Sequence, residues 1–478
     1  MAREFVRLVA PAILLAAVFA SGPASAEDDP RARREKEGAA GLERFRAECQ
    51  EPVANGQPLR ASGCDAIALD AARAFREARL AARAIGTYRS LIAFDTTAKL
   101  SSPLAIEAAF ELGESYQSVA LYEQAADWYE RYATLRPTSA RAETALSDAM
   151  ILRLGLGQEE AATRDAQTFA KLYGATRPVP ALRVAFALAS HHADGEQWSK
   201  ARSVLAGAGG VERAPLDLRI RVHALLAKIH ARAAGARSPL AAQEHARVRA
   251  LGSDARAVEE AIAKEYADEE EGARMRRLAH VLVAVGEAVV FAADERRLAE
   301  VESVRLPAYD GPVDTASVVR YVQTTMKEWS AKKMAAIAGV EAEYVKVFEI
   351  RPVPPPGSVV AAASRVAMMW ADFADALGRA PTPPAWKKDP ALARAYARAL
   401  DAVVEPIRSQ RAKPAAKKCI DLSVKYQYRD ARTHDCERWL ARTFGAEFHL
   451  VDEMIPALRP GPVSAAPPLA YDGTPRRF

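Results

Sequence analysis

Residues 106 to 139, IEAAFELGESYQSVALYEQAADWYERYATLRPTS, set small, aromatic and helix-ending residues at spacings that strongly restrict the fold. Leu112-Gly113 lies in a first apolar run, Tyr116 follows three residues after Gly113, Ala125 opens a second run, Tyr129 comes four residues later, and Pro137 closes it. Two antiparallel helices that meet at Gly113 and Ala125 would have small residues where their axes approach, with Tyr116 and Tyr129 filling the space on either side. Pro137 ends the second helix, since it has no N–H and its ring clashes with the preceding turn. A lone hairpin of this kind leaves apolar surface bare, so neighbouring hairpins are required.

These positions are those of the 34-residue tetratricopeptide repeat, which the segment resembles. It departs at Ala109, where the family often has Trp, and at Tyr132, where it usually has Ala. Weaker copies fall at 65 to 98 (Ala72, Phe75, Ala84, Tyr88), 143 to 176 (Leu146, Met150, Ala162, Phe169, Tyr173) and 182 to 215 (Leu188-Ala189, Trp198, Ala201, Leu205). A fifth pair is read at 216 to 250 from Ile220, Leu225, Leu226, Ile229, Leu240, Ala241 and Val248. The expected fold is all-α: a tetratricopeptide-like helical-hairpin solenoid over 65 to 250, followed by a long-helix C-terminal region. The resemblance implies a concave partner-binding groove lined by the first helix of each hairpin. On the matching positions that groove holds Glu107, Phe110, Glu114 and Gln117, with Leu69, Arg73 and Arg76 from the hairpin before.

At the N-terminus, Arg3 and Arg7 precede an apolar run from Val9 to Phe19, and Ala24-Ser25-Ala26 follows. That order of parts is a secretory signal peptide over 1 to 26, its apolar run well short of the roughly 20 residues a membrane-spanning helix needs. Cleavage after Ala26 is expected, with an uncleaved anchor as the alternative, and no other apolar stretch reaches spanning length. Residues 27 to 64 begin charged and poor in apolar side chains, so a flexible leader is expected there, containing Cys49 and Cys64. A long helical region covers 255 to 350, with apolar positions such as Val258, Ile262, Leu278, Leu282, Val285 and Val289 three or four apart. Arg351-Pro352-Val353-Pro354-Pro355-Pro356-Gly357 reads as a rigid linker to a C-terminal helical unit, 358 to 455. The tail from 456 to 478 is Pro-rich and is expected to be disordered.

Four cysteines in an exported chain point to disulfides. They allow three pairings, and loop closure favours the local ones, Cys49 with Cys64 and Cys419 with Cys436, each closing about 15 to 17 residues. A zinc site is the weaker alternative, since it would have to recruit His434 and there is no C-x-x-C. No metal ligand set is assigned: His191-His192, and His223 with His230, lack the i, i+4 spacing and third ligand of a metal site. No catalytic residue or cofactor is assigned either, because the nucleophile-elbow, zincin and phosphate-loop patterns are missing from the sequence. The formal net charge is +5 with both signs interleaved, which gives no basic stripe for a nucleic-acid backbone.

Cys419, Ser423, Tyr426, Tyr428, Cys436, Trp439-Leu440 and Glu447-Phe448-His449-Leu450 resemble the end of periplasmic tetratricopeptide proteins of myxobacteria and their relatives, some of which serve adventurous gliding motility. The resemblance implies a protein–protein interaction scaffold in the periplasm of a Gram-negative bacterium, with other cell-envelope proteins as partners. A cell-wall (peptidoglycan) hydrolase, or a regulator of one, is the alternative.

Overall fold

The computed structural model of the chain describes residues 29 to 450 apart from 236, 237 and 313, so the expected signal peptide and Pro-rich tail lie outside the described residues. Among the described residues every regular element is helical, and the chain divides into two compact units, up to Arg213 and from Ala214.

In the first unit, α1 (Pro30–Phe45) runs through a π turn (Arg46–Gln50) into the short α2 (Glu51–Ala54). Four hairpins follow: α3 (Cys64–Glu77) with α4 (Ala81–Ala98), α5 (Pro103–Ser118) with α6 (Tyr122–Leu135), α7 (Ala140–Gly155) with α8 (Glu159–Tyr173), and α9 (Pro178–Asp194) with α10 (Trp198–Ala206). Ser102 and Ser139 start α5 and α7 by accepting the N–H groups of Leu104 and Arg141, and Pro103 and Pro178 occupy first turns that need no donor.

All four hairpins turn by the same device. The second residue after the first helix adopts a left-handed conformation: Arg79 (φ 59°), Ala120 (φ 61°), Gly157 (φ 72°) and Glu196 (φ 58°). The next residue then donates its N–H five positions back, Leu80 to Phe75, Leu121 to Tyr116, Gln158 to Arg153 and Gln197 to His192, at 2.7 to 3.0 Å. This Schellman closure satisfies carbonyls that the helix end would otherwise leave unpaired. Only Gly157 occupies the left-handed position without a Cβ penalty.

The helix contact expected within residues 106 to 139 is present, with one difference in detail. Gly113 lies directly beneath the Tyr129 ring, so that a Cβ there would stand 2.7 Å from the ring carbons. Ala125, Tyr129 and Tyr132 are buried, and Phe110 packs on both rings at centroid distances of 5.5 and 5.2 Å. One core joins the hairpins from Phe45 through Phe75, Tyr88, Leu112, Met150 and Phe169 to Leu188.

Much of the leader expected to be flexible is ordered. Asp29 caps α1, Arg33 pairs with Glu37 at 3.0 Å, and Arg31 donates to the Ala78 carbonyl at 2.8 Å. Gly38 and Gly41 let α1 lie close on α3: a Cβ at either would come within 2.9 Å of Phe75 or Ala71. Gly38, Leu42 and the buried Phe45 pack inward while Ala39 and Ala40 stay exposed, so a count of apolar residues along the segment understates what it can bury. The Cys49 and Cys64 sulfurs are joined at 2.08 Å beside this contact.

The second unit begins with α11 (Leu216–Ala234) and α12 (Pro239–Leu251), the pair read as a fifth repeat; by compactness it belongs here rather than with the four hairpins. It packs with α13 (Ala255–Glu265) and α14 (Glu271–Arg296) around Ile220, Val248, Val258, Ile262, Leu278 and Val281. After a π turn (Arg297–Val301) come α15 (Thr315–Tyr321), α16 (Lys327–Val345), α17 (Pro356–Gly378), α18 (Pro384–Lys387), α19 (Pro390–Ile407), α20 (Lys413–Lys425) and α21 (Ala431–Thr443). The segment Arg351 to Gly357 does not separate two domains, because one core runs from Ala293, Ile337 and Tyr344 through Val359, Trp370 and Phe373 to Leu440. α17 is the centre of that core, with Val359, Ala362, Ala367, Phe373 and Ala374 almost wholly shielded. Cys419 and Cys436 are bonded across α20 and α21, at a sulfur separation of 2.26 Å. The turn between those helices is again a Schellman closure, with Gln427 left-handed at φ 50° and the Tyr428 N–H donating to the Ser423 carbonyl at 3.0 Å.

Two substitutions separate the contact from the turn. Gly113→Ala gains helix propensity but forces a methyl into Tyr129, and is expected to lower stability by about 1–3 kcal/mol. Ala120→Gly relieves the left-handed position and is expected to raise stability by about 0.5–1 kcal/mol. Urea denaturation followed by circular dichroism reads both, and opposite signs are the required outcome.

Candidate partner-binding face

The first helices of the hairpins bring the predicted groove residues together, but most are already engaged with one another. Arg73 and Arg76 leave α3 one turn apart and meet Glu111 and Glu114, which leave α5 three residues apart. Arg73 holds Glu111 through Nε at 2.9 Å and Nη2 at 2.5 Å, and Arg76 reaches Glu114 at 2.9 Å and Glu111 at 3.4 Å. The Tyr88 hydroxyl of α4 donates to the other Glu111 oxygen at 2.7 Å. Glu111 is only 3 % exposed, so this network is a structural joint between the first two hairpins.

Glu107 pairs with Arg141, one 34-residue repeat further on, and Glu143 pairs in the same register with Arg177 at 3.0 Å. Gln117 accepts the Tyr129 hydroxyl at 2.7 Å. Phe110 is buried in the α5–α6 contact, where Tyr129 and Tyr132 cover one side and the Arg141 guanidinium stands 5.3 Å from the ring centre. It is therefore a core residue of its hairpin rather than an open groove surface.

What stays open is acidic. Glu114 keeps a 45 % exposed side chain beyond its pair with Arg76. Asp148 lies at the equivalent position on α7, half-buried, and among the described residues it has no cation within ion-pair distance. Burial raises both carboxyls above their ordinary range, an energetic cost that an approaching cation would offset. Asp148 was missed in the sequence because the repeat at 143 to 176 was recognised by its apolar rhythm alone. Its spacing of one repeat from Glu114 was the available signal. Near the same hairpin, Val119, Leu121 and Tyr122 stand more than two-fifths exposed at the α5–α6 turn.

A second cluster lies at the next joint. Arg153, 6 % exposed, pairs with Asp127 at 2.5 Å and Glu130 at 2.7 Å, and donates to Gln158 at 2.7 Å. Asp165 of α8 is buried beside them, with Oδ2 lacking a hydrogen-bond partner. Burial, together with the nearby Glu130 charge, pushes the Asp165 carboxyl up to about 7. Glu130, Arg153, Gln158 and Asp165 line a cavity of 660 Å³, and an adjoining cleft of 1030 Å³ between α8, α9 and α10 is floored by Ala166, Ala170, Ala185 and Leu188. His192 is buried at its edge, 3.1 Å from Gln197 Oε1 and 3.5 Å from Glu159. In the second unit His223 is buried against Glu244 at 2.5 Å. Among the described residues no three of His, Cys, Asp or Glu converge as metal ligands, and no helix is long and apolar enough to cross a membrane.

No protein-family model matches the chain, and no curated protein matches it. Among solved structures, a putative kinesin light chain of Podosopora anserina with nearly identical TPR-like repeats is similar over 42% of this chain and 98% of its own, at 16% identity and a TM-score of 0.27. A circular tandem repeat protein with novel repeat topology and enhanced subunit contact surfaces is similar over 87% of this chain and 95% of its own, at 10% identity and a TM-score of 0.19. Both superpositions are loose. The tetratricopeptide-like character of the first unit rests on its own hairpins, turns and Gly113–Tyr129 contact.

The Asp165 carboxyl sets a pH dependence. Its folded-state pKa lies above that of an unfolded Asp, near 3.9, so its contribution favours folding most below about pH 4 and is lost as pH rises through 7. Asp165→Asn removes the buried charge and is expected to stabilise the protein by on the order of 2 kcal/mol at pH 8 and by almost nothing at pH 4. Equal gains at both pH values in urea titrations would contradict the assignment.

Proposed function

We propose that the chain is an exported protein–protein interaction scaffold of a Gram-negative cell envelope, acting in the periplasm without catalysing a reaction itself. The fold supports the coarse part of this reading: stacked helical hairpins present rows of side chains at fixed spacing along a rigid core, which suits recognition of another protein. Two disulfides, each closing a local loop, suit an oxidising compartment. A cell-envelope complex, and within it the gliding-motility machinery, is the narrower assignment implied by the sequence resemblance of the C-terminal region.

The observation that carries the reading is the pair Glu114 and Asp148. Both are carboxylates at equivalent positions on successive first helices, both carry a desolvation cost, and Asp148 has no cation of its own among the described residues. The partner segment that fits them is basic, placing a Lys or Arg side chain between α5 and α7 with its neighbours against the exposed turn at Leu121 and Tyr122. Of the residues first assigned to the groove, Glu114 and Gln117 remain on this face. Arg73, Arg76 and Glu107 act by holding the helices in register, and Phe110 by packing beneath them.

A photo-crosslinking residue at position 117, introduced in the native host, tests the reading. The expected product joins the chain to an envelope protein through a Lys/Arg-rich segment, and Glu114→Gln with Asp148→Asn lowers the yield about tenfold while helicity is unchanged. Crosslinks indifferent to the double substitution would contradict this face. Retention of the purified chain on peptidoglycan, also indifferent to it, would favour the cell-wall hydrolase or its regulator.

A further inference from the structure

The second unit contains a cavity of 500 Å³ where the π turn after α14 meets α16 and α17. That volume falls within the range of small-molecule pockets, which runs from about 300 to 1,000 Å³. Its wall is of mixed chemistry. Apolar surface comes from Val301, Leu306, Trp329, Met368, Met369 and Phe373. Four cations, Arg297, Arg305, Lys333 and Arg365, line it too, with the carboxylates of Glu302 and Asp372.

The cations are not equally committed. Arg297 pairs with Asp294 at 3.3 Å and also with Glu302, and Arg365 reaches Asp294 at 3.1 Å. Lys333 is different. The helical run ends at Val301, and the carbonyls of Val301 and Val304, which no helix satisfies, accept the Lys333 ammonium, the latter at 3.1 Å. Two carbonyls take two of its three donors and do not neutralise its charge, and among the described residues no carboxylate lies within ion-pair distance of it. Arg305, exposed at the same wall, likewise has no carboxylate partner among the described residues. Trp329 is fixed from the same loop, its indole N–H donating to the Val304 carbonyl at 3.4 Å, so one stretch of backbone positions both Trp329 and Lys333.

We propose that this cavity is a binding site for an anionic amphiphile, a carboxylate on an alkyl body, with the carboxylate on Lys333 and Arg305 and the alkyl chain along Trp329, Met368 and Met369. Glu302 and Asp372 act on the Lys333 charge only from beyond ion-pair distance, and burial still lowers its pKa, so a carboxylate in direct contact would complete a countercharge the chain supplies in part. Met368 and Met369 are unbranched and deformable, which suits a pocket that must shape itself around a flexible chain. The site lies wholly within the second unit and does not depend on the partner-binding face of the first.

Sodium dodecanoate, kept below its micellar concentration, is the probe, with acetate and dodecyltrimethylammonium as controls. Titration into the intact chain carrying ¹³C-methyl methionine is expected to shift the Met368 and Met369 methyl signals saturably, with a dissociation constant below about 1 mM. Acetate should cause no such shift, and the cationic amphiphile should bind at least about tenfold more weakly. Lys333→Met, which keeps the length of the side chain, is expected to weaken dodecanoate about tenfold, and the exposed Arg305→Gln, which puts no packing at risk, severalfold. Silent Met368 and Met369 methyls, equal binding of the two amphiphiles, or an Arg305→Gln variant that is folded and binds unchanged would each overturn the proposal.

Discussion

The carboxylate of Glu111 is the joint from which the order of the first unit follows. A negative charge removed from water is costly unless its oxygens are filled, and here Arg73, Arg76 and Tyr88 fill them from three directions. Arg73 and Arg76 come from α3, Tyr88 from α4 and Glu111 from α5, so the charge is satisfied only when the first hairpin is closed and the second is docked on it. Apolar burial drives the stacking, but it tolerates sliding. The Glu111 network does not, because a slip by one turn would strand a buried charge. The next joint repeats the principle with the signs exchanged, a buried Arg153 surrounded by Asp127, Glu130 and Gln158.

Between joints the chain reuses one turn. The left-handed residue and the five-back hydrogen bond close α3–α4, α5–α6, α7–α8 and α9–α10, and the same closure recurs in α20–α21, where a disulfide replaces the small-residue contact as the clamp. Pinning both helices of each hairpin leaves the surface of α5 and α7 as a rigid platform. On that platform the carboxylates differ in how far their charge is answered within the chain. Glu111 is answered within the chain, and Asp148 is not.

Much of this was legible in the sequence, and the reasons for the gaps are physical. Gly113, Ala125 and Tyr129 announced a hairpin because close helix approach demands small residues opposite large ones, a pattern that chance seldom produces. The local cysteine pairs followed from loop closure. Residues 30 to 45 were misjudged because a charged segment poor in apolar side chains counts as flexible in a linear reading, while Gly38 and Gly41 let its helix lie close on α3. The proline run at 352 to 356 looked like a domain linker, yet Pro355 packs against Gly286 and the chain turns within a single core. The groove was harder. A repeat pattern says which face of α5 looks toward its neighbours but not whether Arg73 and Arg76 are spent on Glu111 and Glu114, which depends on side chains 38 residues apart in sequence. The cavity beside Lys333 had no sequence signal, since its walls come from three segments between Arg297 and Ala376.

Native-state hydrogen exchange of the intact chain, resolved for the amides of α4 and α5 in the wild type and in Glu111→Gln, tests the central claim that the buried carboxylate couples the first two hairpins. The account predicts a shared opening free energy for α4 and α5 in the wild type, falling in both helices together by about 2 kcal/mol or more in the variant. Separate opening of the two hairpins in the wild type, or a loss of protection confined to α5, would contradict it.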